Sequence, residues 1–292
     1  MSGKGASGWI KGQPGIAAPP NEAMVIVRDP VWKNPPEFIE SPDDEVHVWR
    51  ASLDLARWDV DDLHRLLSAD ERERAGRFRF ERDRDHFIVG RARLRILLGR
   101  YLEKEPGQFE FTYNSYGKPF LADEKRLSFN LSHSHGLALY AIARGRQVGI
   151  DLEQISERVC IEEVARSYFS PTEVAAIRAL PEKLRRRAFF NCWTRKEAYL
   201  KAQGNGLSIT LDSFSVSLNP GEPAALLDVQ TNPEETARWS LMELRPDPRY
   251  AAALAVEGRN WGLKCWELTA DIQKLPSTAV RHTMRLRKCR AH

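Results

Sequence analysis

Phe129-Asn-Leu-Ser-His-Ser-His-Gly-Leu-Ala-Leu-Tyr-Ala-Ile-Ala-Arg-Gly-Arg-Gln-Val-Gly-Ile-Asp-Leu-Glu153 is the stretch whose reading decides the architecture. Its β-prone runs are broken by Gly136 and Gly145, and upstream breaks at Asn114 and Gly117-Lys-Pro119 extend the pattern back to Phe109, which predicts an antiparallel meander. Before the meander, Phe87, Leu94, Leu97, Leu98 and Tyr101 recur at helical spacing over Asp85 to Glu103, leaving Arg91, Arg95 and Arg100 largely to other faces. Earlier still, Ser68-Ala-Asp-Glu71 is a capping box that starts a helix, and Val46 to Leu53 reads as a short strand. After the meander the order repeats. Ile161, Val164, Ala165 and Tyr168 share a helical face, Ser170-Pro-Thr-Glu173 is a second capping box with Pro at the first helical position, and a helix follows from Phe189 to Ala202. Phe214–Leu218, Ser240–Leu244 and Tyr250–Val256 then read as strands.

Helix-then-sheet thus occurs twice, which predicts an α+β protein of two similar halves related by a pseudo-twofold. Each half is expected to be a small, mainly antiparallel sheet packed with helices, with a ligand cleft between halves. The boundary falls near Ala143 to Val148, so the halves span 46–145 and 146–270. A Gly- and Pro-rich leader over 1–45 reads as extended or poorly ordered, and residues 271–292 as a basic tail. No residue-level repeat is visible in the sequence.

The 292-residue chain is 42% hydrophobic and 29% charged, a globular composition. No run approaches the roughly 18 apolar residues of a membrane span, and Met1 to Pro20 carries Gly and Pro where a signal peptide needs an apolar core, so a cytoplasmic protein is expected. Cys160, Cys192, Cys265 and Cys289 contain no CxxC pair, which argues against a disulfide framework or zinc cluster. A net charge of +4 gives no whole-molecule attraction to nucleic acid. Charge is local instead: an Arg-dense segment from Arg72 to Arg100, and a tail with Arg281, His282, Arg285, Arg287, Lys288 and Arg290, which also reads as a plain solvated end.

Four segments carry chemistry. In Val148-Gly-Ile-Asp-Leu-Glu153, strand alternation sends Asp151 and Glu153 to one side while Ile150 and Leu152 face a core. Two such carboxylates and a third nearby suit Mg²⁺; solvated acids at a strand end are the plainer alternative. In Trp193-Thr-Arg-Lys-Glu-Ala-Tyr-Leu-Lys201, helical spacing puts Trp193, Lys196, Glu197, Leu200 and Lys201 around one side, facing a common pocket, with Gly204 ending the helix. The alternative is an ordinary Glu197–Lys201 surface pair. Phe129-Asn-Leu-Ser-His-Ser-His135 offers hydroxyls and imidazoles for phosphate oxygens, His133 foremost, or a turn with no ligand. Gly117-Lys118-Pro119 is a turn on any reading.

Together, in order and spacing, Gly117–Leu121, Phe129–His135, Val148–Glu153 and Trp193–Lys201 resemble the signatures of Sfp-type 4'-phosphopantetheinyl transferases. The resemblance covers roughly Val46 to Val256. It implies transfer of phosphopantetheine from coenzyme A to a serine of an acyl or peptidyl carrier protein, as in the holo-acyl-carrier-protein synthase class, leaving adenosine 3',5'-bisphosphate. It further implies that Asp151, Glu153 and Glu197 hold Mg²⁺. Lys201, His133 and Ser132 would contact phosphate, Lys118 would line the nucleotide pocket, and Arg74, Arg77 and Arg91 would receive the 3'-phosphate. Glu173 matches a family glutamate proposed to deprotonate the acceptor serine, with Glu197 the competing base and Lys201 aiding departure of the nucleotide. The acceptor would serve fatty-acid, polyketide or nonribosomal-peptide synthesis, and one chain with two halves forms the cleft as a monomer. Two rivals remain at this point: a Mg²⁺-dependent phosphodiesterase or nuclease using the same carboxylates, and a nucleic-acid binder using the tail.

Overall fold

The computed structural model describes residues 31–40, 43–204 and 209–269. The basic tail, Cys289, Gly206, Leu207 and the first thirty residues of the leader lie outside the described residues.

Two 22-residue helices organise the chain, α3 (Glu81–Leu102) and α6 (Glu182–Gln203). Each is preceded by short helices: α1 (Arg57–His64) and α2 (Ala69–Gly76) in the first half, α4 (Ile161–Tyr168) and α5 (Pro171–Ala179) in the second. The capping boxes at Ser68–Glu71 and Ser170–Glu173 form as expected and start α2 and α5. Each long helix ends on a left-handed residue, Glu103 and Gly204.

The first sheet has the order β11-β1-β5-β4, built from β1 (Glu45–Ser52), β4 (Leu127–Ser134), β5 (Leu137–Arg144) and β11 (Gly262–Glu267). The second is β6-β10-β9, from β6 (Val148–Gln154), β9 (Trp239–Leu244) and β10 (Tyr250–Glu257). Two hairpins stand apart: β2 (Phe111–Tyr113) with β3 (Pro119–Leu121), and β7 (Phe214–Val216) with β8 (Leu226–Val229). A one-turn α7 (Glu235–Arg238) leads into β9. Among the strands of the described residues every pairing is antiparallel except β1 with β11, which runs parallel. The last strand therefore returns to the first half. Part of the leader returns with it: Lys33 bridges Trp266, and its amide donates to Cys265 O at 3.1 Å, covering the outer edge of β11.

Strand alternation explains the layering. Val46, Val48, Leu139 and Ala141 of the first sheet meet Val148, Ile150, Leu152 and Leu254 of the second in a shared apolar layer. The opposite faces bury Trp49, Tyr140 and Phe129 under α3 and Ala251, Ala253 and Ala255 under α6. The order is helix, sheet, sheet, helix, the two similar α+β halves that the sequence predicts. Ile150 and Leu152 face this core, leaving Asp151 and Glu153 on the α6 side.

Candidate active site

The site forms where β6, an edge strand of the second sheet, meets β4 of the first. Alternate amides of an antiparallel edge strand point away from its partner. In β6 these are Ile150, Leu152 and Gln154, and alternate side chains of β4 take them. Asn130 Oδ1 accepts from Ile150 N at 2.8 Å, Ser132 Oγ from Leu152 N at 3.2 Å, and Ser134 Oγ from Gln154 N at 3.2 Å. The hydroxyls then reach the acids between those amides: Ser132 Oγ donates to Asp151 Oδ1 at 3.0 Å and Ser134 Oγ to Glu153 Oε2 at 3.1 Å. The two halves are thus joined by side chains that also orient the carboxylates.

Helix α6 closes the other side because Gly149 lets it approach. A Cβ on Gly149 would lie 2.2 Å from Ala198 O and 2.2 Å from Ala202 N. That proximity brings Lys201 Nζ to 2.5 Å from Asp151 Oδ1 and 3.2 Å from Ser132 Oγ. Asp151 is 3% exposed, and its Oδ2 is buried without a partner. Burial raises the Glu153 carboxyl to about 7, the Asp151 charge adding to the effect while the Ser134 hydrogen bond and Lys201 oppose it. Glu197, one turn before Lys201, is raised likewise by burial and then by Asp151.

The β2–β3 turn forms the floor of the cleft. Asn114 Oδ1 accepts the Tyr116 and Lys118 amides at 3.0 and 2.9 Å, and its Nδ2 donates to Gly204 O at the end of α6. Gly117 turns with φ +81°, a conformation that favours glycine. Lys118 points inward, donating to Ala202 O at 2.9 Å and Val148 O at 3.3 Å, and desolvation lowers it to about 8. The resulting cleft of about 290 Å³ is lined by Tyr116, Lys118, Asn130, Leu131, Glu197 and Lys201.

Other residues singled out by the sequence lie elsewhere. Lys196 does not share the cleft with Glu197 and Lys201. It is fully buried on the far side of α6, donating to Leu211 O and Phe214 O at 2.7 and 2.5 Å and pairing with Glu173 at 2.8 Å, because α6 buries nearly its whole circumference. Glu173 is 3% exposed and accepts from Ser170 N and Val216 N, each at 2.9 Å. Alternation turns His133 to the α3 face, away from Ser132; its outer edge is exposed, yet desolvation, then His86 and Lys201, lower its pKa. Arg74 and Arg77 line a separate groove of about 580 Å³ with Phe78 and Tyr113. Arg91 stands behind that groove, bound to Glu71 at 2.6 Å and to Tyr113 Oη at 3.0 Å. The motifs do not mark Asn130, Asn114 or Gly149 as functional, and they offer Ser134 only among hydroxyls for phosphate, where the structure has it joining β4 to β6; the period-2 match of 130, 132 and 134 to 150, 152 and 154 is the signal for that joint.

The donor set suits a hard divalent cation: the Asp151 charge helps raise the Glu153 and Glu197 carboxyls, and Asp151 keeps an unpartnered buried oxygen. No group of three or more His, Cys, Asp or Glu is already gathered for a metal among the described residues, where Lys201 neutralises Asp151 instead. No described helix is long and apolar enough to cross a membrane.

Family models assign the class. Residues 147–255 match the 4'-phosphopantetheinyl transferase superfamily, and residues 49–144 match the N-terminal region of a 4'-phosphopantetheinyl transferase. The 4'-phosphopantetheinyl transferase HetI of Nostoc sp. is 45% identical over 238 residues, 80% of this chain and 97% of its own length. A phosphopantetheinyl transferase of Thraustochytrium sp. is 33% identical over 74% of this chain and 80% of its own, and Sfp of Bacillus subtilis is 31% identical over 53% and 67%. The chain belongs to the 4'-phosphopantetheinyl transferase superfamily.

Proposed function

We propose that this chain transfers 4'-phosphopantetheine from coenzyme A to a serine hydroxyl of an acyl or peptidyl carrier protein, in the manner of a holo-acyl-carrier-protein synthase. The observation that carries the reading is the gathering of Asp151, Glu153 and Glu197 around Lys201, with Glu197 and Lys201 lining the cleft, in a chain similar to named transferases along both halves. Asp151, Glu153 and Glu197 would hold Mg²⁺, which when bound supplies charge neutralisation at the coenzyme A diphosphate.

The serine Oγ bonds to the β-phosphorus as the bond from that phosphorus to the bridging oxygen breaks, and the electron pair leaves with adenosine 3',5'-bisphosphate. Glu197, on the cleft wall one turn before Lys201, takes the serine proton. Lys201, beside Asp151, neutralises charge on the departing nucleotide. His133 serves a phosphate from the exposed α3 face of β4, while Ser132, on the opposite face, holds Asp151 and Lys201 in place; Lys118 backs the nucleotide through its turn, and Arg74 and Arg77, with Arg91 behind them, take the 3'-phosphate in their groove. A single chain supplies every one of these groups, which supports a monomer.

The test is chromatography of coenzyme A incubated with protein and Mg²⁺, with and without apo carrier. Nucleotide release that needs the carrier supports transfer; equal release without carrier means hydrolysis.

A further inference from the structure

Lys196 lies in the signature segment Trp193–Lys201 and Glu173 matches a family glutamate, yet the chemistry above uses neither. Both have counterparts in the first half. Glu71 is the third residue of α2 and closes its capping box, as Glu173 is and does in α5. Arg95 is the fifteenth residue of α3, and Lys196 is the fifteenth of α6. Arg95 Nε meets Glu71 Oε2 at 2.7 Å, and Lys196 Nζ meets Glu173 Oε2 at 2.8 Å. Each cation also donates to two carbonyls beyond its helix. Arg95 reaches Pro106 O and Phe109 O at 3.1 and 2.9 Å, and Lys196 reaches Leu211 O and Phe214 O at 2.7 and 2.5 Å. Pro106 and Leu211 each open a 3₁₀ turn, and Phe109 and Phe214 each follow it. An aromatic ring completes both arrangements, Phe111 5.0 Å from the Arg95 guanidinium and Phe214 4.3 Å from Lys196 Nζ.

The halves differ at the next helix position. Ile96, buried, follows Arg95, whereas Glu197, in the cleft, follows Lys196. The first half keeps the ion pair where the chemical carboxylate is absent. In the second, Glu173 Oε2 takes Ser170 N, Ser170 Oγ and Lys196 Nζ, and Oε1 takes Val216 N. A general base must reach the proton it abstracts, and Glu173 offers a substrate no free face.

We propose that Glu173 and Lys196 are a positioning clamp, the second copy of Glu71–Arg95, which fixes the rotation of α6 about its axis and so aims Glu197 and Lys201 at β6. Glu173 is not the base. The kinetic arm of this inference rests on the proposed transfer reaction; the thermal arm does not.

Breaking a buried pair from one side leaves an uncompensated charge, while removing both charges is far milder. The experiment compares E173Q, K196M and E173Q/K196M. For the clamp, K196M lowers Tm by roughly 10 °C and lowers kcat by roughly 100-fold with KM little changed, because Glu197 and Lys201 lose their aim, and the double variant regains at least half of the Tm loss. E173Q keeps kcat within about tenfold of wild type and retains the acidic limb of the kcat/KM profile. A base at Glu173 instead predicts that E173Q loses about 10²–10⁴ in kcat together with that limb, and that Lys196 substitutions change neither result. Additive Tm losses, or a lost acidic limb in E173Q, would overturn the clamp. If wild type transfers nothing, the Tm cycle alone decides it.

Discussion

Substituting Gly149 by alanine tests the link between packing and chemistry. The new Cβ would stand 2.2 Å from both Ala198 O and Ala202 N and 2.8 Å from Ala202 Cα. All three are backbone atoms of α6, so no side-chain tip can swing aside. Ordinary contact requires about 3.5 Å or more, so α6 must withdraw from β6 by about 1 Å. Overpacking of this kind costs about 1–3 kcal/mol, and the rigid neighbours place G149A near the upper end, a fall in Tm of roughly 6–12 °C for a protein of this size. The same withdrawal moves Glu197 and Lys201 away from Asp151, and about 1 Å of misplacement is worth roughly 100-fold in rate. Thermal denaturation and transfer kinetics on one preparation measure both. A G149A protein with unchanged Tm and unchanged kcat would refute the argument that this glycine sets the helix–strand distance.

Replacing Ser132 by alanine strips Leu152 N and Asp151 Oδ1 of a partner at a buried joint, at a cost of about 1–3 kcal/mol; a denaturation midpoint equal to wild type contradicts this. Lys118 titrates near 8 when folded against 10.5 for an ordinary lysine. The folded state then binds fewer protons between those values, and stability rises with pH across that window by at most about 3 kcal/mol. The rise should be absent in K118M, and parallel stability curves for the two proteins would remove Lys118 as its source. R74A/R77A should raise KM for coenzyme A roughly 10- to 100-fold while leaving 3'-dephospho-coenzyme A unaffected; equal effects on both substrates would take the 3'-phosphate out of that groove.

Much of this was legible from local chemistry. Ser68–Glu71 and Ser170–Glu173 announce helix starts because capping is a matter of a few neighbouring residues, and the period-2 pattern of Ile150 and Leu152 against Asp151 and Glu153 separates core from site. What the sequence hides is set by partners distant along the chain. Lys196 and Lys201 are alike in chemistry and stand about 140° apart on a helical wheel, and only packing on both sides of α6 shows that one is sealed in while the other edges the cleft. The β11 pairing with β1 is parallel across more than two hundred residues, beyond the reach of turn signals. The duplication of Glu71–Arg95 by Glu173–Lys196 escapes the sequence because arginine and lysine, with different neighbours, fill the same position.

The most direct test of the central claim is the intact mass of an apo carrier protein after incubation with this protein, coenzyme A and Mg²⁺, beside a D151A control. Wild type is expected to add one phosphopantetheine to the carrier and D151A none. Equal modification by both proteins would contradict the site, and no modification of fatty-acid, polyketide or peptide carriers would contradict the function.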